Sequence, residues 1–425
     1  MKPSLAIIGT GIAGMGTAYF LRDQFDITFY EKNNYPGGHT HTLEIKENGR
    51  DIYIDSAFMV YNEPTYPLLT RLFKELEVET KPTSMSFSVQ HIPTRLEYSG
   101  TGYNGLFAQR KNIFKPWFWK MLLEVDRFRR ESTEVLDNPK YLDYTIDQYI
   151  REECYSDHFF QKFLIPMSSA VWSTPLELMF SFPAVTLIRF FKNHGFLGLK
   201  TQLPWRTVVN GSRVYRDKIM KFFPDSVHLN NAAAGVLMDQ GKNIVIDAKG
   251  HRQIYDKVVI AAHADEALKI LRDPSDEEIS LLGAFSYQDN LATLHTDESV
   301  MPKNKKIWSS WNYRIDTDKG GRMIPSTVYD MNSLQQVSDR KNYFISINGN
   351  GTFDPGKVLW QTSYMHPVYN PEAIHAQRQL PRLNQNGNRY FCGSYFRYGF
   401  HEDGLMSALD VARLISGKNI WGECV

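Results

Sequence analysis

Gly9, Gly11 and Gly14 follow the apolar run Leu5-Ala-Ile-Ile8, and Glu31 closes the next apolar run, Ile27-Thr-Phe-Tyr30. These residue types at this spacing suit the binding of a dinucleotide. Gly9 permits a tight turn, Gly11 lets backbone approach a pyrophosphate, and Gly14 lets a helix pack closely on its strand. The helix that begins there offers free amides, those of Ile12 and Ala13 first, and the positive end of its dipole to the phosphates. Glu31, about twenty residues beyond Gly11, is placed to accept hydrogen bonds from an adenosine ribose, with Lys32 beside it. A carboxylate there repels a 2′-phosphate, which argues against an NADP-type ligand. Just past it comes Tyr35-Pro-Gly37-Gly38-His39-Thr40. Paired glycines let main chain pass close against a ligand, although an ordinary Pro-Gly turn is the structural alternative.

The elements that must hold these residues form a strand-helix-strand unit, with a helix read from Met15 to Phe25 and a second strand from Ile27 to Tyr30. From Glu63 to about Pro204 the pattern turns helical and aromatic, with amphipathic helices predicted over Tyr66–Glu77 and Lys140–Glu153. Strand signals return at Val227–Leu229, Ile244–Ile246 and Lys257–Ala262, followed by His263 and a helix over Asp265–Leu271. Further strands are read around Leu291–His295, Tyr343–Asn348 and Val358–Gln361. Near the C-terminus, Arg389-Tyr-Phe-Cys392-Gly393-Ser394 reads as a strand ending in glycine. Gly399-Phe-His-Glu-Asp-Gly404 then opens a helix running through Ala412. Two interleaved domains are expected: residues 1–62, 205–272 and 386–425 around the cofactor, and residues 63–204 and 273–385 around the substrate.

With the segments Asp55-Ser-Ala-Phe-Met-Val-Tyr61-Asn62, Pro166-Met-Ser-Ser-Ala-Val-Trp172-Ser-Thr-Pro175, Trp308-Ser-Ser-Trp311-Asn312-Tyr313 and Gly399-Phe-His401-Glu402-Asp403-Gly404, the chain resembles the FAD-dependent amine oxidase superfamily. Within it the chain is similar to the bacterial NAD/FAD-binding branch that accompanies cyclopropane fatty acid synthases. The resemblance runs from about Lys2 to Leu414. It implies an α/β fold: a glutathione-reductase-like, Rossmann-type FAD-binding domain with an interleaved α+β substrate domain. It also implies noncovalent FAD, because nothing matches the cysteine segment of monoamine oxidases. By the same resemblance Ala233 holds the adenine through its backbone, Gly393 and Ser394 lie near the pyrophosphate, and Gly404, Leu405 and Met406 lie against the flavin ring at a helix N-terminus. Ala57 and Phe58 occupy the place of an Asp-x-Gly segment beneath the ring, with Ala57 replacing the usual glycine. Glu402 and Asp403 have the alternative role of capping the helix.

Composition agrees with an enzyme of two domains. At 425 residues the chain exceeds one simple core. Forty-eight basic against 47 acidic residues leave a net charge of +1, so no global field favours nucleic acid. The cysteines Cys154, Cys392 and Cys424 lack metal-ligand spacing and fit a reducing cytoplasm. No metal cluster and no serine-histidine-acid set is evident. The start lacks a secretory signal, and no run reaches the roughly 18 apolar residues of a spanning helix. Two aromatic segments, Phe114–Arg130 and Leu178–Lys200, read either as core of the substrate domain or as peripheral contacts with a membrane's inner face.

The reaction is less legible than the cofactor. Tyr364, His366, Tyr395, Trp311 and His401 are the candidates to reach the reacting centre, with Tyr398, His295 and Asn312 as further polar residues, and Lys305 or Lys306 as the lysine that amine oxidases place near the flavin. A lone histidine in an apolar strand has the alternative of a hydrogen-bonded core position. The leading expectation is dehydrogenation or desaturation of a long apolar substrate, such as a fatty acyl chain of a phospholipid shared with a lipid-modifying synthase partner. An amine oxidase releasing hydrogen peroxide and a non-catalytic flavin-binding partner of such a synthase are the alternatives.

Overall fold

The computed structural model describes residues 2–172, 176–197, 203–318, 320–349, 352–385 and 387–422. Cys424, Ser173-Thr-Pro175 and the end of the second aromatic segment lie outside the described residues. A five-stranded parallel sheet orders its strands as Val227–His228, Asp26–Tyr30, Ser4–Ile8, Lys257–Ile260 and Arg389–Phe391. Its central strands are continuous apolar runs, and Leu5, Ala6, Ile7, Val258 and Val259 are fully buried. That is the pattern of a parallel sheet covered on both faces. The helix after the first strand spans Ile12–Leu21 and is buried on every side. It starts three residues before the predicted Met15, because Gly11 already serves as its N-cap.

The last helix, His401–Ser416, lies against Ile12–Leu21. Gly16 makes this crossing close: a Cβ there would stand 2.7 Å from Leu405 Cδ1. The two ends of the sequence thus meet at one layer of the parallel sheet.

A second, seven-stranded sheet runs Val358–Val368, Ser286–His295, Phe344–Ile347, Met323–Asp330, Trp311–Thr317, Phe87–His91 and Leu96–Ser99. Only the pair Trp311–Thr317 with Phe87–His91 is parallel. The two strands between residues 87 and 99 fall inside the stretch read as helical, where Pro93 and Thr94 make a turn that the helical reading passed over. The strand Val358–Val368 runs seven residues past its predicted end and pairs with Ser286–His295 along its length. The expected helix Lys140–Glu153 is only Ile146–Glu152, because Thr145 and Gln148 form a capping box that starts it there. No helix among the described residues is long and apolar enough to cross a membrane.

Candidate functional site

The parallel sheet's carboxyl ends and one face of the seven-stranded sheet enclose a cavity of about 660 Å³. Gly9, Gly11, Ile12 and Ala13 line it, as do Glu31 and Lys32, Gly38 and His39, Ala57 and Phe58, Ala233, and Gly393 with Ser394. The chemistry-bearing candidates Trp311, Tyr364, His366, Tyr395 and His401 line it too. Tyr364 and His366 are two apart on one strand, so their side chains share a face.

The cavity has the features that an extended dinucleotide requires. Gly9 adopts φ +95°, and a Cβ on it would lie 2.6 Å from the Ala261 carbonyl oxygen. Gly11 has an ordinary φ of −60° and nothing within 4 Å of where a Cβ would stand. A side chain at Gly11 would therefore occupy cavity rather than protein. No side chain caps the helix Ile12–Leu21, so its first amides are free to face phosphate. Glu31 Oε2 accepts from Thr10 N at 3.0 Å and Thr10 Oγ1 at 2.5 Å, while Oε1 accepts from Asn33 N at 2.9 Å. This orients the carboxylate and leaves acceptor capacity on Oε1 for ribose hydroxyls. Thr10, between two of the motif glycines, is the orienting residue the sequence reading missed.

Other expected residues act around the cavity rather than on it. Gly14 is a packing glycine, its missing Cβ only 2.0 Å from the Gly9 carbonyl oxygen. Gly37 packs against Thr40 and Arg216. Thr40 Oγ1 joins Tyr215 OH at 2.6 Å to His401 Nε2 at 3.2 Å, and His401 stacks on Phe58 with ring centres 3.8 Å apart. Gly404, Leu405 and Met406 do not line the cavity: Gly404 abuts Ile12, Leu405 is buried on Gly16, and Met406 Sδ meets Arg397 at 3.0 Å. The helix geometry turns them aside, while Phe400 and His401 form the wall there. His295 and Asn312 are core residues, bonded to Ser346 Oγ at 2.7 Å and Ser88 Oγ at 2.8 Å respectively. Lys305 and Lys306 do not line the cavity; Lys305 pairs with Glu298 at its surface. Neither described cysteine lines it. Cys392 is buried beside Thr17, and burial pushes its thiol up to about 12.

Asp403 caps its own helix, accepting from Phe400 N at 2.9 Å and Tyr398 N at 3.2 Å. Glu402 caps a different one. Its two oxygens accept from Leu68 N and Leu69 N at 2.8 and 3.0 Å, at the start of helix Pro67–Glu75. Burial raises Glu402 to about 7 against its ordinary 4.5, the amide bonds opposing that rise. A carboxyl raised in the fold contributes its full stability below pH 4.5 and loses it as pH rises toward 7. In Glu402→Gln that pH term is gone. Relative to the variant, the wild type should lose about 3 kcal/mol between pH 4.5 and 7, read from urea unfolding at each pH. Parallel curves for the two proteins would refute it.

Four histidines come near one another at the cavity: His39, His263, His366 and His401. Burial holds each of them low, His366 at about 4 and His401 at about 3. They are therefore neutral near pH 7, and each offers one donor and one acceptor. For His366 the tautomer is set by a chain of side chains. The Leu291 amide, which can only donate, bonds Asn348 Oδ1 at 3.0 Å. Asn348 Nδ2 then donates to Asn290 Oδ1 at 2.7 Å, and Asn290 Nδ2 donates to His366 Nδ1 at 2.7 Å. With Nδ1 accepting, the His366 proton sits on Nε2. His39 Nε2 is buried without a hydrogen-bond partner among the described residues.

Charge is divided across the cavity. Glu31, Lys32, Glu266 and Lys269 line it from the parallel sheet and its helices, Lys32 pairing with Glu266 at 2.5 Å and Lys269 with Asp265 at 2.9 Å. The seven-stranded sheet and the helices Ile165–Trp172 and Ala184–Asn193 contribute no ionised group among the described residues. Their wall includes Trp172, Phe190, Phe196, Trp311, Tyr329 and Ile347. Trp172, Phe190, Phe196 and Trp311 lie in segments the sequence marked as aromatic, but that these segments meet as one wall had no local signature.

Comparison with known proteins places these features in a context. The family described as flavin containing amine oxidoreductase matches residues 12–416. Coproporphyrinogen III oxidase of Staphylococcus aureus (strain NCTC 8325 / PS 47) is 24% identical over an alignment of 205 residues that covers 43% of this chain and 40% of that enzyme. The match thus spans less than half the length of that relative. Among solved structures, cyclohexylamine oxidase from Brevibacterium oxydans IH-35A superposes with a TM-score of 0.69 at 14% identity, covering 98% of this chain and 100% of its own. The CLA-producing fatty acid isomerase from P. acnes gives 0.65 at 12% identity, with 98% of each chain covered.

Proposed function

The chain belongs to the flavin containing amine oxidoreductases, and from that premise we propose that it uses FAD to dehydrogenate or desaturate a long apolar substrate, such as the fatty acyl chain of a phospholipid. The observation that carries this reading is the uncharged aromatic wall. The carboxylates that line the cavity, Glu31 and Glu266, both belong to the parallel-sheet side. An ammonium substrate desolvated against the opposite wall would meet no countercharge among the described residues, which is costly, whereas an acyl chain gains from burial at about 25 cal/mol per Å².

Glu31 and the free amides of Ile12 and Ala13 would hold the adenosine and pyrophosphate parts of the cofactor, which when bound supplies the electron sink for a hydride leaving carbon. The chain's own residues do the remaining work. Trp172, Phe190 and Trp311 exclude water and align the apolar donor. His366 lines the cavity, where its Nε2–H can hydrogen-bond a carbonyl or a developing negative charge.

Anaerobic titration of the yellow protein with phospholipid carrying unsaturated acyl chains tests the reading. The visible absorbance of the oxidised flavin should fall with lipid and stay constant across a panel of mono- and polyamines. Bleaching by amines with none by lipid would replace this reading with the amine oxidase one.

A further inference from the structure

The segment between Gly100 and Leu123 carries four basic residues, Arg110, Lys111, Lys115 and Lys120, and no acidic one. It folds as the short helix Gly102–Leu106, the turn Arg110–Phe114 and the helix Pro116–Glu131. Phe118, Met121 and Phe128 point into the core, while on the opposite side of the helix's first half Trp119, Lys120 and Leu123 are exposed. There the apolar side chains stand out into solvent: Phe114 is 85% exposed, Tyr103 82%, Leu123 69%, Trp119 45% and Ile113 40%.

The elements that carry these residues are tied together. Arg110 Nη2 donates to Asn104 Oδ1 at 3.0 Å, tying the first helix to the turn, and Trp119 Nε1 donates to the Ile113 carbonyl at 2.8 Å, tying the turn to the second helix. Three more lysines join it from another part of the chain. Lys303, Lys305 and Lys306 are exposed on a segment that meets this one where Asn304 Nδ2 donates to the Ala108 carbonyl at 3.4 Å and Lys303 N donates to Glu97 Oε1 at 3.1 Å. Lys305 pairs with Glu298 at 3.4 Å and Lys120 lies 4.0 Å from Glu124; in a protein of net charge +1, Arg110, Lys111, Lys115, Lys303 and Lys306 still concentrate positive charge around the protruding aromatics.

We propose that this face docks on an anionic lipid bilayer, with Phe114, Tyr103 and Leu123 entering the interfacial layer and the lysines meeting lipid headgroup charge. Charge complementarity and residue choice both favour lipid over a protein partner. Six of the seven cations are lysine, a residue depleted at protein interfaces, whereas lysine with Trp, Phe and Leu is the composition of surfaces lying on membranes. The proposal is independent of the flavin chemistry: a protein inert toward every donor would still bind vesicles.

Cosedimentation of the full-length, flavin-loaded protein with vesicles tests it. Vesicles of phosphatidylcholine with about a third phosphatidylglycerol should pellet it, pure phosphatidylcholine should not, and added salt should release it. Replacing Lys111 and Lys115 together with glutamine should weaken binding by about thirtyfold, each basic contact contributing about fivefold. Phe114→Asp should abolish it, while flavin absorbance and thermal unfolding stay as in the wild type. Brominated lipid should quench a tryptophan signal that is lost in Trp119→Phe. The proposal is overturned if anionic vesicles do not pellet the wild type at low salt, or if Phe114→Asp binds equally well. It is also overturned if sedimentation velocity shows a dimer that Phe114→Asp dissolves, for then a second copy covers this face.

Discussion

Gly11→Val should give a folded protein that binds its yellow flavin far more weakly. The substitution is allowed by the backbone, whose φ is −60° there, and a Cβ would meet nothing within 4 Å. Yet Gly11 lines the cavity where the helix Ile12–Leu21 begins, so the valine methyls fill space that the pyrophosphate needs. Overpacking of about 1–3 kcal/mol translates to an FAD affinity reduced about 5- to 150-fold. The apoprotein's Tm should move by no more than about 2 °C. Gly14→Val has the opposite signature. Its Cβ would sit 2.0 Å from the Gly9 carbonyl oxygen, a backbone atom that cannot give way, so the strand and helix must part. The expected result is insoluble protein or a Tm lowered by about 10 °C. Titration of each apoprotein with FAD, followed by flavin absorbance, alongside calorimetry of the apoprotein, separates the two. If Gly11→Val binds FAD as the wild type does, the cavity's glycine end is not the phosphate site.

The contrast between these glycines shows what the sequence could convey. Gly9, Gly11 and Gly14 carry their roles in local spacing, because turn, approach and packing all occur within one strand-helix junction. Asn48-Gly49 likewise marked the hairpin of Thr42–Glu47 with Arg50–Asp55, both turn residues having positive φ, though that signal went unread. The meeting of Leu405 with Gly16 could not be read that way. Gly404, Leu405 and Met406 sit at the right helix, but its rotation, set by Leu405 packing on Gly16, turns them from the cavity. His366 was one of several histidines without local distinction. What sets it apart is sheet register: pairing of Ser286–His295 with Val358–Val368 on one side and Phe344–Ile347 on the other brings Asn290, Asn348 and His366 together. Register is a long-range property, and a slip of one residue would send each side chain to the opposite face.

Because that register fixes a proton, changing one atom type in the chain should invert the histidine. In Asn290→Asp the carboxylate can only accept, so His366 Nδ1 must carry hydrogen and Nε2 becomes an acceptor or, with a second proton, joins an imidazolium. A carboxylate neighbour raises a histidine pKa, lifting His366 from about 4 toward the neutral range. The same inversion should follow from Asn348→Asp, which never touches His366. An aspartate at 348 still accepts from the Leu291 amide but cannot donate to Asn290; its carboxylate draws the Asn290 amide N–H, so that Asn290 gives up the 3.1 Å bond from Gln288 Nε2 and turns its oxygen toward the imidazole. Removing one directed donor from a water-excluded site costs about 10²–10³ in rate. Both variants should therefore slow anaerobic flavin bleaching by about a hundredfold at saturating donor, with FAD content unchanged. His366→Gln, which keeps an N–H donor, should lose less than His366→Ala. A merely structural role would not move the proton, so the deciding readout is the 15N spectrum of labelled histidine. The His366 Nδ1 signal should lie in the unprotonated range in the wild type and in the protonated range in both aspartate variants. A wild-type Nδ1 already protonated at pH 7 would break the chain at its first link and take the Nε2 donor with it.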